Sequence, residues 1–185
     1  MDTTAAQYQE LAERFAGIAD AVDAARWDAP SPCEGWSAAD VIDHIVTTQR
    51  DFLGSHDIDV GQAPDVAADP AKAWHAHADA VAGALAQPGV AETTFNGFFG
   101  PTTVGETLAR FYGFDMIVHR WDLAQAGGVT TTFSDAELDQ IETSIDGFGE
   151  HLYAEGICKP AVHIAADASR QHRLLARMGR DPRGG

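Results

Sequence analysis

Apolar residues recur every three to four positions through five stretches of this 185-residue chain, a spacing that only an α-helix turns into one continuous face. Leu11, Phe15, Ile18, Ala19 and Val22 mark the first, predicted from about Thr3 to Ala25 and broken by Pro30, Pro32 and Gly35. The second opens at Ser37, with Asp40 three residues on as an acidic capping box and Trp36 and Val41 as a hydrophobic staple. Its face reads Val41, Ile45, Thr48 and Phe52, with His44 on it, and it is predicted to end near Gly54. A third follows Pro70 through Trp74, Val81 and Leu85 until Pro88-Gly89. The fourth runs from about Thr103 to Ala126, stopped by Gly127-Gly128, with Glu106 placed for an acidic box. The fifth has a full box, Ser134 with Glu137, and a face through Ile141, Ile145, Phe148 and Leu152. A short helix from about Ser169 to Met178 comes last. Between the third and fourth, Val90 to Pro101 reads as a brief extended excursion, because Asn96-Gly97 leaves little room for a long strand.

No repeat or linker divides this pattern. It predicts an all-α fold: a four-helix bundle with additional C-terminal helices, one domain over residues 1–178, and a polar tail over 179–185. The expected core leaves no need for staples, and two cysteines, Cys33 and Cys158, make no disulfide framework.

Charge narrows the partners. There are 28 acidic residues against 12 basic ones, a formal net charge of -16. Nucleic acid demands a basic footprint, so it is excluded as a partner, and so is an anionic membrane surface. Five arginines beyond Asp167 are too few to alter that. The N-terminal MDTTAAQYQELAERF lacks a basic start followed by an apolar run, and no long apolar stretch follows, so the expected location is the cytoplasm.

The informative residues are those that break the apolar faces. On the fourth helix Leu108, Phe111, Tyr112, Asp115, His119 and Ala126 share one face, with Asp115 and His119 at i and i+4. A carboxylate on such a face is costly unless paired or coordinated. His44 repeats the anomaly on the second helix. Two readings stay open: an Asp115–His119 ion pair across one helix turn, or a ligand set of His44, Asp115 and His119 for a divalent ion.

The segments carrying these residues resemble a known family. Pro32-Cys33-Glu34-Gly35-Trp36-Ser37 followed by Val41 and His44 is similar to the first signature of the mycothiol-dependent maleylpyruvate isomerase N-terminal family, within the DinB/YfiT-like superfamily. Asp115-Met116-Ile117-Val118-His119-Arg120-Trp121-Asp122-Leu123-Ala124 resembles the second, and Arg173 to Pro182 resembles the ending of an actinobacterial single-domain branch. The resemblance implies a DinB/YfiT-like bundle with a divalent metal held by His44, Asp115 and His119; two histidines and a carboxylate admit zinc, nickel, iron, cobalt or manganese, with zinc or nickel expected first. Aspartate at 115 departs from the family's more familiar glutamate. Some isomerase relatives continue into a further domain where this chain ends, so maleylpyruvate isomerase activity itself is not the expectation.

The implied function is a metal-dependent thiol transferase or isomerase, with mycothiol or a similar thiol as cofactor and a small electrophile as substrate. The alternatives are a non-catalytic metal or ligand carrier or sensor, and a hydrolase using metal-bound water. A homodimer fits any of them. Trp36 is expected to staple and pack, Asp122 to orient a histidine or Arg120 or else to pair at the surface, and Cys33 to be a half-buried thiol near the site mouth. Phe95, Phe98 and Phe99 are expected to pack a loop over the bundle end.

Overall fold

The computed structural model describes residues 3–98, 100–154 and 156–183; Phe99 lies outside the described residues, as do Met1, Asp2, Glu155 and the last two glycines. The fold is mostly helical, with six α-helices among the described residues. These residues group into two compact units that divide between Val129 and Thr130.

The first unit contains α1 (Thr3–Ala19), α2 (Ala38–Ser55), α3 (Pro70–Leu85), strands β1 (Thr94–Gly97) and β2 (Gly100–Thr103), and α4 (Val104–Gly127). Helix α1 packs on α3 and α4, and α2 packs on the same two, so each helix has two helical neighbours. The core between them holds Phe15, Ile42, Ile45, Leu53, Trp74, Leu108 and Ile117. It also holds three polar side chains: the Tyr8 hydroxyl donates to Gln49 Oε1 at 2.8 Å, and His77 Nε2 lies 3.0 Å from the same oxygen. Gln49 occupies the position four beyond Ile45, so this link across three helices left the same trace in sequence as Asp115 did.

Local chemistry sets the helix ends. Helix α1 stops at Ala19, short of the expected Ala25, because the Asp23 side chain accepts from Ala25 N–H and opens a separate turn over Ala24–Arg26. The Ser37–Asp40 box forms in full at the start of α2. At α4 the expected box is split: Thr103 accepts from Glu106 N–H, while the Glu106 carboxylate accepts from the Thr102 hydroxyl at 3.3 Å. Gly128, with φ of +69°, gives the left-handed cap that ends α4. Gly105 sits where a Cβ would lie 2.5 Å from Thr4 Oγ1 and 3.0 Å from the Ala91 carbonyl, so α4 starts closer to its neighbours than any larger residue allows.

The excursion before α4 is a two-stranded antiparallel hairpin pairing Thr94 with Thr103. Phe95 packs its ring against His56 at 4.3 Å and Phe52 at 5.7 Å, as a loop laid over the end of α2 would. Phe98, at the hairpin tip, is exposed. So is Phe111, which the helical period had placed on the buried stripe of α4. Residues 116–124 of that helix are instead buried without interruption, more than one amphipathic face requires. No helix among the described residues is long and apolar enough to cross a membrane.

In the second unit α5 (Asp135–Phe148) begins on the complete Ser134–Glu137 box, and α6 (Arg170–Arg177) lies against it. Arg170 bonds Asp139 and Glu142, and Arg177 bonds Asp146. Part of the arginine excess near the C-terminus is therefore spent on the acids of α5.

Candidate metal centre

Helices α2 and α4 pack together, and each delivers its polar intruder to their seam. The capping box fixes the start of α2 two turns before His44, and Asp115 and His119 sit one turn apart on α4. Asp115 Oδ2 is 3.4 Å from His44 Nε2, and its Oδ1 is 3.3 Å from His119 Nε2. One carboxylate thus faces two imidazoles with separate oxygens. Both spacings exceed the usual N–H···O length. They match the ~3.3 Å edge of a tetrahedron built from ~2.0 Å bonds to a metal. The donor set, two imidazoles and a carboxylate, suits a borderline divalent ion. Among the described residues this is one of two groups whose ligand atoms all lie within 4.8 Å of one another.

Electrostatics agrees with the geometry. Burial acts to raise the Asp115 carboxyl, but His119 first and His44 second outweigh it and hold the group far below the usual carboxylate range. Burial likewise acts to lower His119, and Asp115, then Asp122 and Cys33, push it well above an ordinary imidazole.

The other edge of His119 is held from within α4. Asp122 Oδ2 lies 2.9 Å from His119 Nδ1, and Asp122 is completely buried. Orienting His119 is a role the structure shows, and a surface pairing is excluded by that burial. Cys33, from the loop before α2, completes this side: its thiol donates to Asp122 Oδ2 at 3.3 Å, with Sγ 3.8 Å from His119 Nδ1. Cys33, His119 and Asp122 form the second of the two groups. Because Sγ faces Nδ1, the thiol is on the opposite edge of the ring from Asp115.

Trp36 does more than pack. Its ring lies 4.7 Å from that of His44 and 5.7 Å from that of His119, roofing both imidazoles. It also lines a cleft of about 380 Å3 together with Gly35, Asp40, Asp43, His44, Thr47 and Thr48. His44 and Asp115 keep 29% and 24% of their side-chain surface, and His44 lines the cleft, while Asp122 is closed off from solvent. Tyr112 stands nearby, its hydroxyl donating to the Thr48 carbonyl at 3.2 Å, and burial with the charges of Asp115 and Asp51 pushes it up to about 12.

The two histidines of α3 have other partners. His75 pairs with Asp20 at 2.9 Å, and His77 belongs to the Tyr8–Gln49 link. Neither is a co-ligand, as their two-residue spacing on α3 implies.

Residues 8–124 match the family described as the mycothiol maleylpyruvate isomerase N-terminal domain. The chain belongs to that family. The matched span runs from α1 to the last turns of α4 and contains every residue of the site. Uncharacterized proteins MT0763 and Rv0738, from two strains of Mycobacterium tuberculosis, are each 32% identical over 135 residues, covering 71% of this chain and 70% of their own length. No solved structure gives a significant match. For a member of the mycothiol maleylpyruvate isomerase N-terminal family, aspartate at 115 raised the question of reach. The shorter arm still comes within 3.3 and 3.4 Å of the two histidines.

Proposed function

We propose that this protein is a metal-dependent thiol transferase or isomerase acting on a small electrophile, built on a DinB/YfiT-like bundle. The observation that carries the reading is the Asp115 carboxylate spanning His44 and His119 at metal-edge spacing, with His44 also lining a cleft. His44 Nε2, His119 Nε2 and Asp115 would hold a divalent ion, zinc or nickel. Such an ion favours the deprotonated, nucleophilic form of a thiol beside it. Family membership supports a thiol of the mycothiol type as the cofactor.

The chain's own residues supply the rest. Asp122 fixes the plane of the His119 ring so that Nε2 faces Asp115. Trp36 covers the two imidazoles on one face, keeping water from that side. Thr47, Thr48, Asp40 and Asp43 give the cleft polar walls suited to a hydroxyl-bearing small molecule.

Metal content after mild purification tests the reading, measured beside His44→Ala. Retained zinc or nickel in the parent, lost in the variant, is the expected result; equal, negligible metal in both overturns it. Loaded protein is then titrated with thiols and offered electrophiles. Metal without any thiol binding would leave a carrier or sensor in place of the enzyme.

A further inference from the structure

His119 has two edges, and the proposed function uses one of them. We propose that the second edge is a separate ion position: Cys33 Sγ, His119 Nδ1 and Asp122 take up a thiophilic cation in place of the one held by His44 and Asp115. The inference stands on the geometry of this cluster and does not depend on thiol-transfer activity.

The three donor atoms are spaced like ligands. Sγ is 3.3 Å from Asp122 Oδ2 and 3.8 Å from His119 Nδ1, and the latter two are 2.9 Å apart. Around a tetrahedral ion with ~2.0 Å bonds to nitrogen and oxygen and a ~2.3 Å bond to sulfur, those edges are ~3.3 to ~3.6 Å. The His119–Asp122 edge, now at hydrogen-bond length, has to open most, while the Sγ–Asp122 edge opens and the Sγ–His119 edge closes by a few tenths of an ångström. A thiolate with an imidazole selects softer ions than two imidazoles with a carboxylate do, so this edge sorts cations by a different rule from its neighbour. Cys33 is half-buried rather than sealed, and the loop that carries it is short, tied by Ser31 N–H to the Trp36 carbonyl and by Trp36 N–H to the Cys33 carbonyl. The sulfur is therefore presented by a fixed piece of backbone.

The chemistry balances without a redox step. Bonds form from the ion to sulfur, nitrogen and oxygen, and the thiol proton and the Nδ1 proton leave to solvent. A neutral imidazole has one nitrogen lone pair for a metal and a proton on the other nitrogen. An ion on Nδ1 therefore leaves the proton on Nε2, facing Asp115, and the first group loses a ligand. The two positions exclude each other, and a thiophilic ion at the second disarms the first.

Cadmium is the probe. The full chain, stripped of metal and carrying Cys158→Ser so that Cys33 is its remaining thiol, is titrated with Cd2+ while the ultraviolet thiolate-to-cadmium charge-transfer band is followed. The expected result is a saturable band in this background that survives His44→Ala within about twofold. It should be lost in Cys33→Ser and at least ~10-fold weaker in Asp122→Asn, the scale of a lost carboxylate partner. Circular dichroism of each variant checks that helix content is unchanged. A band that vanishes with His44→Ala would overturn the proposal, because Cys33 would then be serving the first group. So would a band undiminished in His119→Ala, which would make Cys33 a lone thiol, and so would the absence of any band.

Discussion

Asp122 Oδ2 accepts from His119 Nδ1 at 2.9 Å, three residues along the same helix, from a position with no solvent exposure at all. That contact ties the orientation of His119 to its own helix, α4. Asp122→Asn keeps the shape and removes the charge. It should lower affinity for zinc or nickel by ~10- to 100-fold, read by competition with a chelator, with circular dichroism unchanged. Full retention of affinity would mean that Asp122 is only filling space.

The buried His77 gives a pH prediction. Burial, with a smaller contribution from the charge of Arg50, pushes this imidazole down to about 4. Between pH 6.5 and 4 the unfolded chain takes up a proton that the folded chain refuses, so stability is complete above that window and falls as pH drops through it. The effect is on the order of 3 kcal/mol at most. In His77→Gln, which still donates to Gln49, the denaturation midpoint should lose that part of its slope over this window, whereas an unchanged slope would assign it to other groups.

Two glycines on helices should respond in opposite directions to the same change. Gly105→Ala drives a methyl against Thr4 and Ala91 and should cost about 1–3 kcal/mol. Gly17→Ala meets nothing within 4 Å on α1 and should stabilise by about 0.5–1 kcal/mol. Thermal melts of the pair decide it; a stabilised Gly105→Ala would show that α1 and the Ala91 turn yield easily.

The cap of α2 is also part of the site. Ser37 Oγ accepts from Asp40 N–H at 3.2 Å, and the Asp40 carboxylate accepts from Ser37 N–H at 2.7 Å. Ser37→Ala should cost about 1 kcal/mol in urea denaturation. Metal affinity should fall less than in His44→Ala, because the cap positions the ligand without touching the ion.

The sequence revealed those parts of the fold and site whose physics is local. Capping boxes at Ser37 and Ser134 need four residues to be seen, and the i, i+4 spacing of Asp115 and His119 needs five. The convergence of His44 on that pair was an inference from two misplaced polar groups, since a helical period says which face a residue is on and not what lies opposite. Cys33 and Trp36 were harder. They sit in a loop with no period, and their reach to the edge and the face of one imidazole depends on how that loop folds back. Gln49 carried the signal that had identified Asp115, a polar group on an apolar face. An amide carries no charge, so its burial costs less than that of a carboxylate and the signal is weaker. The uninterrupted burial from Met116 to Ala124 had no periodic signature of its own.

The loop between α1 and α2 is closed by Ala38 N–H on the Ala29 carbonyl and by Ser31 N–H on the Trp36 carbonyl. Within it, Cys33 addresses one edge of His119 and Trp36 covers its face. The two side chains share a single backbone span, so their placement is a question of length before it is one of identity. A change of side chain at either position alters that residue's contacts alone, whereas one residue added between Pro32 and Trp36 shifts both residues at once. Over this stretch the chain should tolerate substitution far better than insertion or deletion, and the count of residues in the loop is itself a part of the site.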